Sequence, residues 1–375
     1  MKRIIFGAMA AAAMLSCAKE QVIEQNRAND EITFSIVAEN QTKAEAVYCN
    51  NFKPTSFNVY ANHAGQTYID GDVIVQEGTK WVNTSGVRYW PEVGDVTFYA
   101  HVNAGNCFQG DVTTPIIKDF EVPTAVGNQK DLLYAVKSQA KGNATVTLNF
   151  RHALSQIVFQ AKNTNNNLYA EIYGVTICNL GNKNTFTYPA GDTDDTIENH
   201  DGNGETTTIG EWGTWNNLTG GNTDYNVTFE TVAVPCDGTV KSLTNTNDLD
   251  KEYSSKAMLL LPQTTTAWDP ETTPKAEDAA GTYFLVNCKI CNVAGDSYAS
   301  NDVVLHNGNV AIPVYFAWEQ GKKYIYTFVF GNGNGGYEPD PDDPNTPQAV
   351  LLPITFDITV DDFVPVENED VPMEF

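Results

Sequence analysis

The chain has 375 residues, which at about one domain per 150 residues implies two or three domains rather than one. Hydrophobic residues make up 42% and aromatics 11%, enough for a sizeable core and too many for a disordered chain. The 22 Lys and Arg oppose 47 Asp and Glu, a net charge of −25, which excludes the basic stripe of a nucleic-acid binder and the polybasic face of a membrane-surface protein. Five histidines leave little material for a metal or His-based catalytic cluster, so composition favours an acidic, strand-rich ectodomain over an enzyme.

The first element is a targeting segment. Lys2 and Arg3 precede an apolar run over residues 4–15, too short for the ~20 residues of a membrane-spanning helix. The run ends in Met14-Leu15-Ser16-Cys17, which resembles a bacterial lipobox. This predicts a signal peptide over residues 1–16, a mature chain acylated (palmitate) at Cys17, a tether over 17–30, and an outer-membrane, cell-surface location. Several acyl chains hold a protein on a membrane where one does not.

Period-two alternation then recurs. Strands are predicted at residues 32–36, 96–102, 144–150, 227–234, 258–261, 324–330 and 354–360, separated by connections rich in Gly, Asn, Asp and Thr. Residues 152–157 are the one place where a short helix is expected. The pattern is that of β-sandwich domains, because β-branched and aromatic residues suit half-buried pleated surfaces. A polar break at 162–167 divides a first domain, 31–166, from a second, 167–375. Residues 191–213 carry seven acidic and few apolar residues and are predicted to form an exposed loop. Residues 331–347 join a glycine-rich half to a proline-rich half, and this linker delivers a terminal strand at 350–360.

Other chemistry is weakly supported. Cys49, Cys107, Cys178, Cys236, Cys288 and Cys291 permit three disulfides in an exported chain, with free buried thiols as the other reading. Cys288 and Cys291 lie in a predicted strand, where three-residue spacing points them to opposite faces, and no second such pair completes a zinc site. His152 has no neighbouring nucleophile or carboxylate in sequence and reads as a structural histidine. Residues 199–205 resemble the start of a calcium loop but lack the acid at loop position twelve. Residues 195–197 (Asp-Thr-Ile) resemble a short O-glycosylation motif. No catalytic site, cofactor or metal is predicted.

Seven short motifs in order resemble the fimbrillin-like family of Gram-negative anaerobes: residues 89–91 (Tyr-Trp-Pro), 96–100, 131–135, 148–155, 259–263, 318–322 with Tyr324 and Tyr326, and 354–360. The resemblance implies an all-β fold of two tandem β-sandwich (transthyretin-like) domains and a non-enzymatic fimbrial (pilus) subunit, shaft or tip, involved in adhesion. Its implied partners are other fimbrial subunits, the outer membrane through the lipid anchor, and a host protein or glycan.

In polymerising members an external protease cuts after Arg or Lys, removes the N-terminal strand, and a strand of the next subunit fills the groove. Here Lys43 stands where many relatives have Arg, and Arg27 in the tether is the alternative site. The candidate donor is the terminal strand, with Leu352, Ile354, Phe356, Ile358 and Val360 on one face. Five such side chains represent about 8–15 kcal/mol of burial before ordering costs. The same strand completing its own domain is the competing reading. A rival function, monomeric glycan binding, would use exposed Trp81, Trp212, Trp215 or Trp268 to stack sugar rings.

Overall fold

The computed structural model describes residues 30–38, 54–109, 114–142, 145–194, 196–199, 205–208, 210–244, 257–293, 297, 299, 302–331, 336–350 and 354–362. The first strands are β1 (Thr33–Ala38), β2 (Ser56–His63), β3 (Gln66–Glu77), β4 (Lys80–Asn83), β5 (Asp95–Val102), β6 (Phe108–Gln109), β7 (Ile116–Glu121), β8 (Leu133–Ala140) and β9 (Thr145–His152). Seven of them run β1-β4-β3-β2-β5-β8-β9, and the contact of β1 with β9 closes this sandwich into a barrel. The alternation dictates what fills it. Along β5, Val96, Phe98 and Ala100 point inward to meet Ile32, Phe34, Phe57, Val59, Val146, Leu148 and Phe150. Trp90 of the Tyr-Trp-Pro motif is buried edge-on against Phe98, centroids 5.7 Å apart.

The chain continues through β10 (Ser155–Asn163), β11 (Tyr169–Leu180), β12 (Lys183–Thr187), β13 (Thr196–Asn199), β14 (Glu205–Thr208), β15 (Thr214–Thr219), β16 (Thr223–Val234), β17 (Lys241–Ser242), β18 (Met258–Leu260), β19 (Tyr283–Asn292), β20 (Val303–Pro313), β21 (Lys322–Phe330) and β22 (Ile354–Asp362). One sheet runs β17-β10-β21-β22, with β18 also on β10, and a second runs β16-β11-β19-β20. Phe159, Phe284, Phe316, Tyr326 and Phe328 interlock between them. A third sheet, β15-β12-β7-β6, packs on the outside of the barrel. Phe108 stacks on Tyr60 at 3.6 Å and Tyr188 meets Tyr99 at 5.7 Å, so the outward residues of β2 and β5 are also covered.

Three local expectations are corrected. No helix occupies residues 152–157. β9 ends at His152 and β10 begins at Ser155, because residues 156–163 pair in parallel with β21. The supposed linker, where described, is docked: Tyr337 exchanges hydrogen bonds with Ala311 and packs on Trp268, and Lys275 meets Asp340 at 2.7 Å. The loop after β12 is anchored at both ends, with Thr193 and Gly213 fully enclosed. The polar break behaves as its composition suggests. Asn163 and Asn165 side chains cap the backbone N–H of Asn165 and Asn167, turning the chain from β10 into β11 on the facing sheet.

Candidate functional site

β1 and β22 are the first and last strands of the described chain, and they are held differently. β1 runs parallel to β9 over six register pairs, Thr33↔Thr145 to Ala38↔Phe150, and touches β4 at Phe34↔Trp81 alone. Its inward face is apolar: Phe34 is buried, as is Ile32 just before the strand, and Phe34 sits edge-on to Phe57 (6.0 Å) and Phe98 (5.7 Å). Its outward face is a hydroxyl ladder, Thr33 with Thr145 at 3.1 Å and Ser35 with Thr147 at 2.9 Å. Just before it, Ile32 N–H donates to Arg88 and Trp90 N–H to Asp30, pinning the entry of the strand.

β22 pairs antiparallel with β21 over nine positions, Phe330↔Ile354 to Lys322↔Asp362, as the outermost strand of its sheet. Phe356 reaches the core, 5.5 Å from Phe284 and 6.2 Å from Tyr326. Ile358 and Val360 do not follow it in; they are 46% and 44% exposed. Lys162 meets Asp357 at 3.0 Å, a surface pair of small worth.

The architecture has close company. The fimbrillin-like family model matches residues 21–340. The chain belongs to the fimbrillin-like family. Among solved structures it resembles a fimbrial protein from Bacteroides vulgatus, at 15% identity and a TM-score of 0.56 over 89% of this chain and 99% of that one. A candidate cell adhesion protein from Parabacteroides distasonis follows at 11% identity and 0.46, covering 89% and 99%. The fimbrial anchor protein Mfa2 from Porphyromonas gingivalis aligns at 12% identity and 0.33, covering 88% and 98%. At 15% identity the likeness to the Bacteroides vulgatus protein speaks for the fold alone. None of the curated proteins matches.

Within this fimbrillin-like chain, the remaining candidates fall as follows. Cys17, Arg27, Lys43, Cys49 and Leu352 lie outside the described residues, as do Asp195 and residues 200–204 of the presumed calcium loop. Of the four tryptophans of the glycan reading, Trp268 is buried and Trp81, Trp212 and Trp215 are partly exposed, each with a packing partner. Trp268 is buried with its N–H on Thr273, Trp215 packs on Phe186 and donates to Ala153, Trp81 leans on Phe57, and Trp212 covers the Arg151 guanidinium at 4.3 Å. His152 has the carboxylate that its sequence neighbourhood lacked: Nδ1 lies 2.5 Å from Asp131 Oδ2 at the root of β8. The Ser155 hydroxyl donates away from it, to the Glu319 carbonyl. Among the described residues Cys107, Cys178, Cys288 and Cys291 are free thiols, and burial pushes Cys288 up to about 12. Among the described residues no group of three His, Cys, Asp or Glu side chains converges as for a metal.

Two features escaped the sequence reading. His101 is buried against Tyr60 and Phe108 with neither ring nitrogen bonded, and burial depresses it to about 4. Its only sequence signal is a polar residue in an outward position of β5, which the third sheet covers. Thr193, in the polar loop, carries no local signal at all.

Proposed function

We propose that this protein is a cell-surface fimbrial subunit whose β1 closes the barrel only until assembly, when a strand of a neighbouring subunit replaces it. The observation that supports this reading is the manner in which β1 is held. It belongs to the barrel through six parallel register pairs with β9, one pair with β4, backbone hydrogen bonds at its entry, and the core side chains Ile32 and Phe34. Its withdrawal would open the β9 edge and a slot shaped by Phe57, Phe98 and Leu148, which an extended apolar segment fills. Parallel pairing is slightly weaker per residue than antiparallel. A strand entering in the opposite sense would pair antiparallel with the same six residues.

In this reading acylated Cys17 holds the precursor in the outer membrane, and cleavage after Lys43 is the productive event. Arg27 precedes β1, so a cut there releases the tether and leaves the barrel closed. β22, with Leu352, Ile354, Phe356, Ile358 and Val360, is the strand supplied to the next subunit. Its edge position and the exposure of Ile358 and Val360 suit a strand docked without being sealed. The division expected at 166/167 is drawn in this reading at the change of sheet after His152 instead, because β10 pairs with β21 of the second unit. Adhesion to a host protein or glycan is the role of the assembled surface.

Treating the purified, anchor-free chain with Lys- or Arg-specific protease tests this. Loss of the segment through Lys43 followed by a ladder of boil-sensitive oligomers is expected. A chain cut cleanly at Lys43 that stays monomeric would refute it.

A further inference from the structure

β8 and β9 are neighbours in the barrel wall, yet among the described residues their direct register is limited to Leu133↔His152 and Tyr134↔Arg151. Beyond those pairs the strands diverge, and residues 191–194 lie between them. Thr193 is completely buried and bonds both strands. Its N–H donates to the Val136 carbonyl (3.0 Å), its hydroxyl accepts from Val136 N–H (3.1 Å), and the same hydroxyl donates to the Asn149 carbonyl (2.7 Å). Its own carbonyl accepts from Asn149 Nδ2 (3.1 Å) and from Arg151 Nε and Nη2 (3.1 and 2.9 Å). On either side, Asp192 accepts from the Ser138 N–H at 2.7 Å, and Lys137 meets Asp192 at 3.0 Å and Asp194 at 2.5 Å.

The segment is held from behind as well. Glu211 N–H donates to the Asp192 carbonyl, and Gly191 N–H to the Glu211 carboxylate. A side chain at Gly210 would lie 2.5 Å from the Thr193 carbonyl, so only glycine lets the returning chain close over it. Trp212 covers Arg151, and Gly213 bonds both Tyr134 of β8 and Gln320, which leads into β21.

We propose that residues 191–194 are a surrogate strand, an internal brace that replaces the missing β8–β9 ladder and keeps β9 in place when β1 is absent. The brace itself stands on the contacts above; its purpose during β1 loss rests on the exchange reading. Among the described residues β9 has two strand neighbours, β1 and β8, and its pairing with β8 ends after two residues. Without Thr193, departure of β1 would leave most of β9 unsupported on both edges, and the slot would collapse or attract a wrong partner.

Amide hydrogen exchange on the full mature chain separates the two parts. Thr193→Val keeps the shape and removes the hydroxyl. The Val136 amide and the β9 amides should lose protection by about tenfold or more, while β19 amides stay unchanged. Lys137→Met, which touches only the outer ion pairs, should give a smaller loss at the same amides and guards against a Thr193 variant that fails to fold. Unchanged protection at Val136 and β9 in both variants, or a uniform loss that includes β19, would overturn the brace. Ile36→Ser loosens β1. Combined with Thr193→Val it should reduce β9 protection by more than the product of the single effects. Simple multiplication would remove the link to β1 and leave the brace standing, whatever the protease assay shows.

Discussion

The two ends of the described chain solve opposite problems with the same unit of structure. β1 is short, parallel to its main partner, and sends Phe34, with Ile32 just before it, into the barrel beneath a hydroxyl ladder. β22 is longer and antiparallel, yet among its described side chains, residues 356–360, Phe356 reaches the core while Ile358 and Val360 stay half in water. Hydrogen-bond ladder and apolar burial are thus distributed separately. β1 adds plugged side chains to its ladder, whereas β22 relies mainly on its ladder. A strand that adds plugged side chains is replaceable by another strand carrying similar plugs, whereas a strand held by its ladder is an edge that can be lifted and reused.

The sharpest way to break that comparison is to truncate the two anchors. Phe34→Ala should cost about 3–5 kcal/mol, read as a lowered midpoint of barrel unfolding in denaturant. Phe356→Ala should cost roughly 1–2 kcal/mol, since its ring is only partly enclosed. Equal losses would abolish the distinction.

Acid should act on the barrel side. The folded pKa of His101, about 4, lies below its unfolded value near 6.5, so the folded state disfavours the charged form. The stability is therefore full above about pH 6.5, falls as the pH drops toward 4, and levels off below that, for a total of about 3 kcal/mol. Urea melts at pH 7 and pH 4.5 should differ in this sense, and His101→Phe should flatten the difference. A melt of the variant as steep in pH as the original would remove His101 as the cause. The smallest expected effect is on β22: Ile358→Ser with Val360→Ser should change monomer stability by less than about 0.5 kcal/mol, because both side chains already face water. In the proposed exchange the same pair should weaken oligomers clearly, so unchanged oligomer stability would count against β22 as the donor.

Much of the fold was legible because its strands alternate cleanly. Residues 96–102 and 324–330 read as strands and are strands, and the Tyr-Trp-Pro anchor and the turn-forming asparagines at 163 and 165 behave as their chemistry requires. What was not legible depends on partners far along the chain. The β1–β9 closure joins residues 112 positions apart. Nothing within ten residues of Thr193 indicates that a polar, acidic loop supplies the most enclosed threonine of the barrel wall, because its hydrogen-bond partners lie on β8 and β9. The packing of the tryptophans was hidden for a similar reason: Trp212 and Trp215 stand among glycines and polar residues, and those glycines permit close packing on one face. A side chain at Gly213 would lie 2.1 Å from the Phe186 ring. The helix expected at 152–157 failed because local apolar spacing cannot foresee the parallel partner, β21, that extends those residues.

The most direct test adds a synthetic peptide spanning residues 350–362 while the anchor-free chain is trimmed at Lys43. The account predicts that the peptide is retained by trimmed chains and suppresses the oligomer ladder, and that a version with Ile354, Phe356 and Ile358 changed to Ser does neither. A trimmed chain that binds neither peptide, or assembles equally with both present, would contradict it.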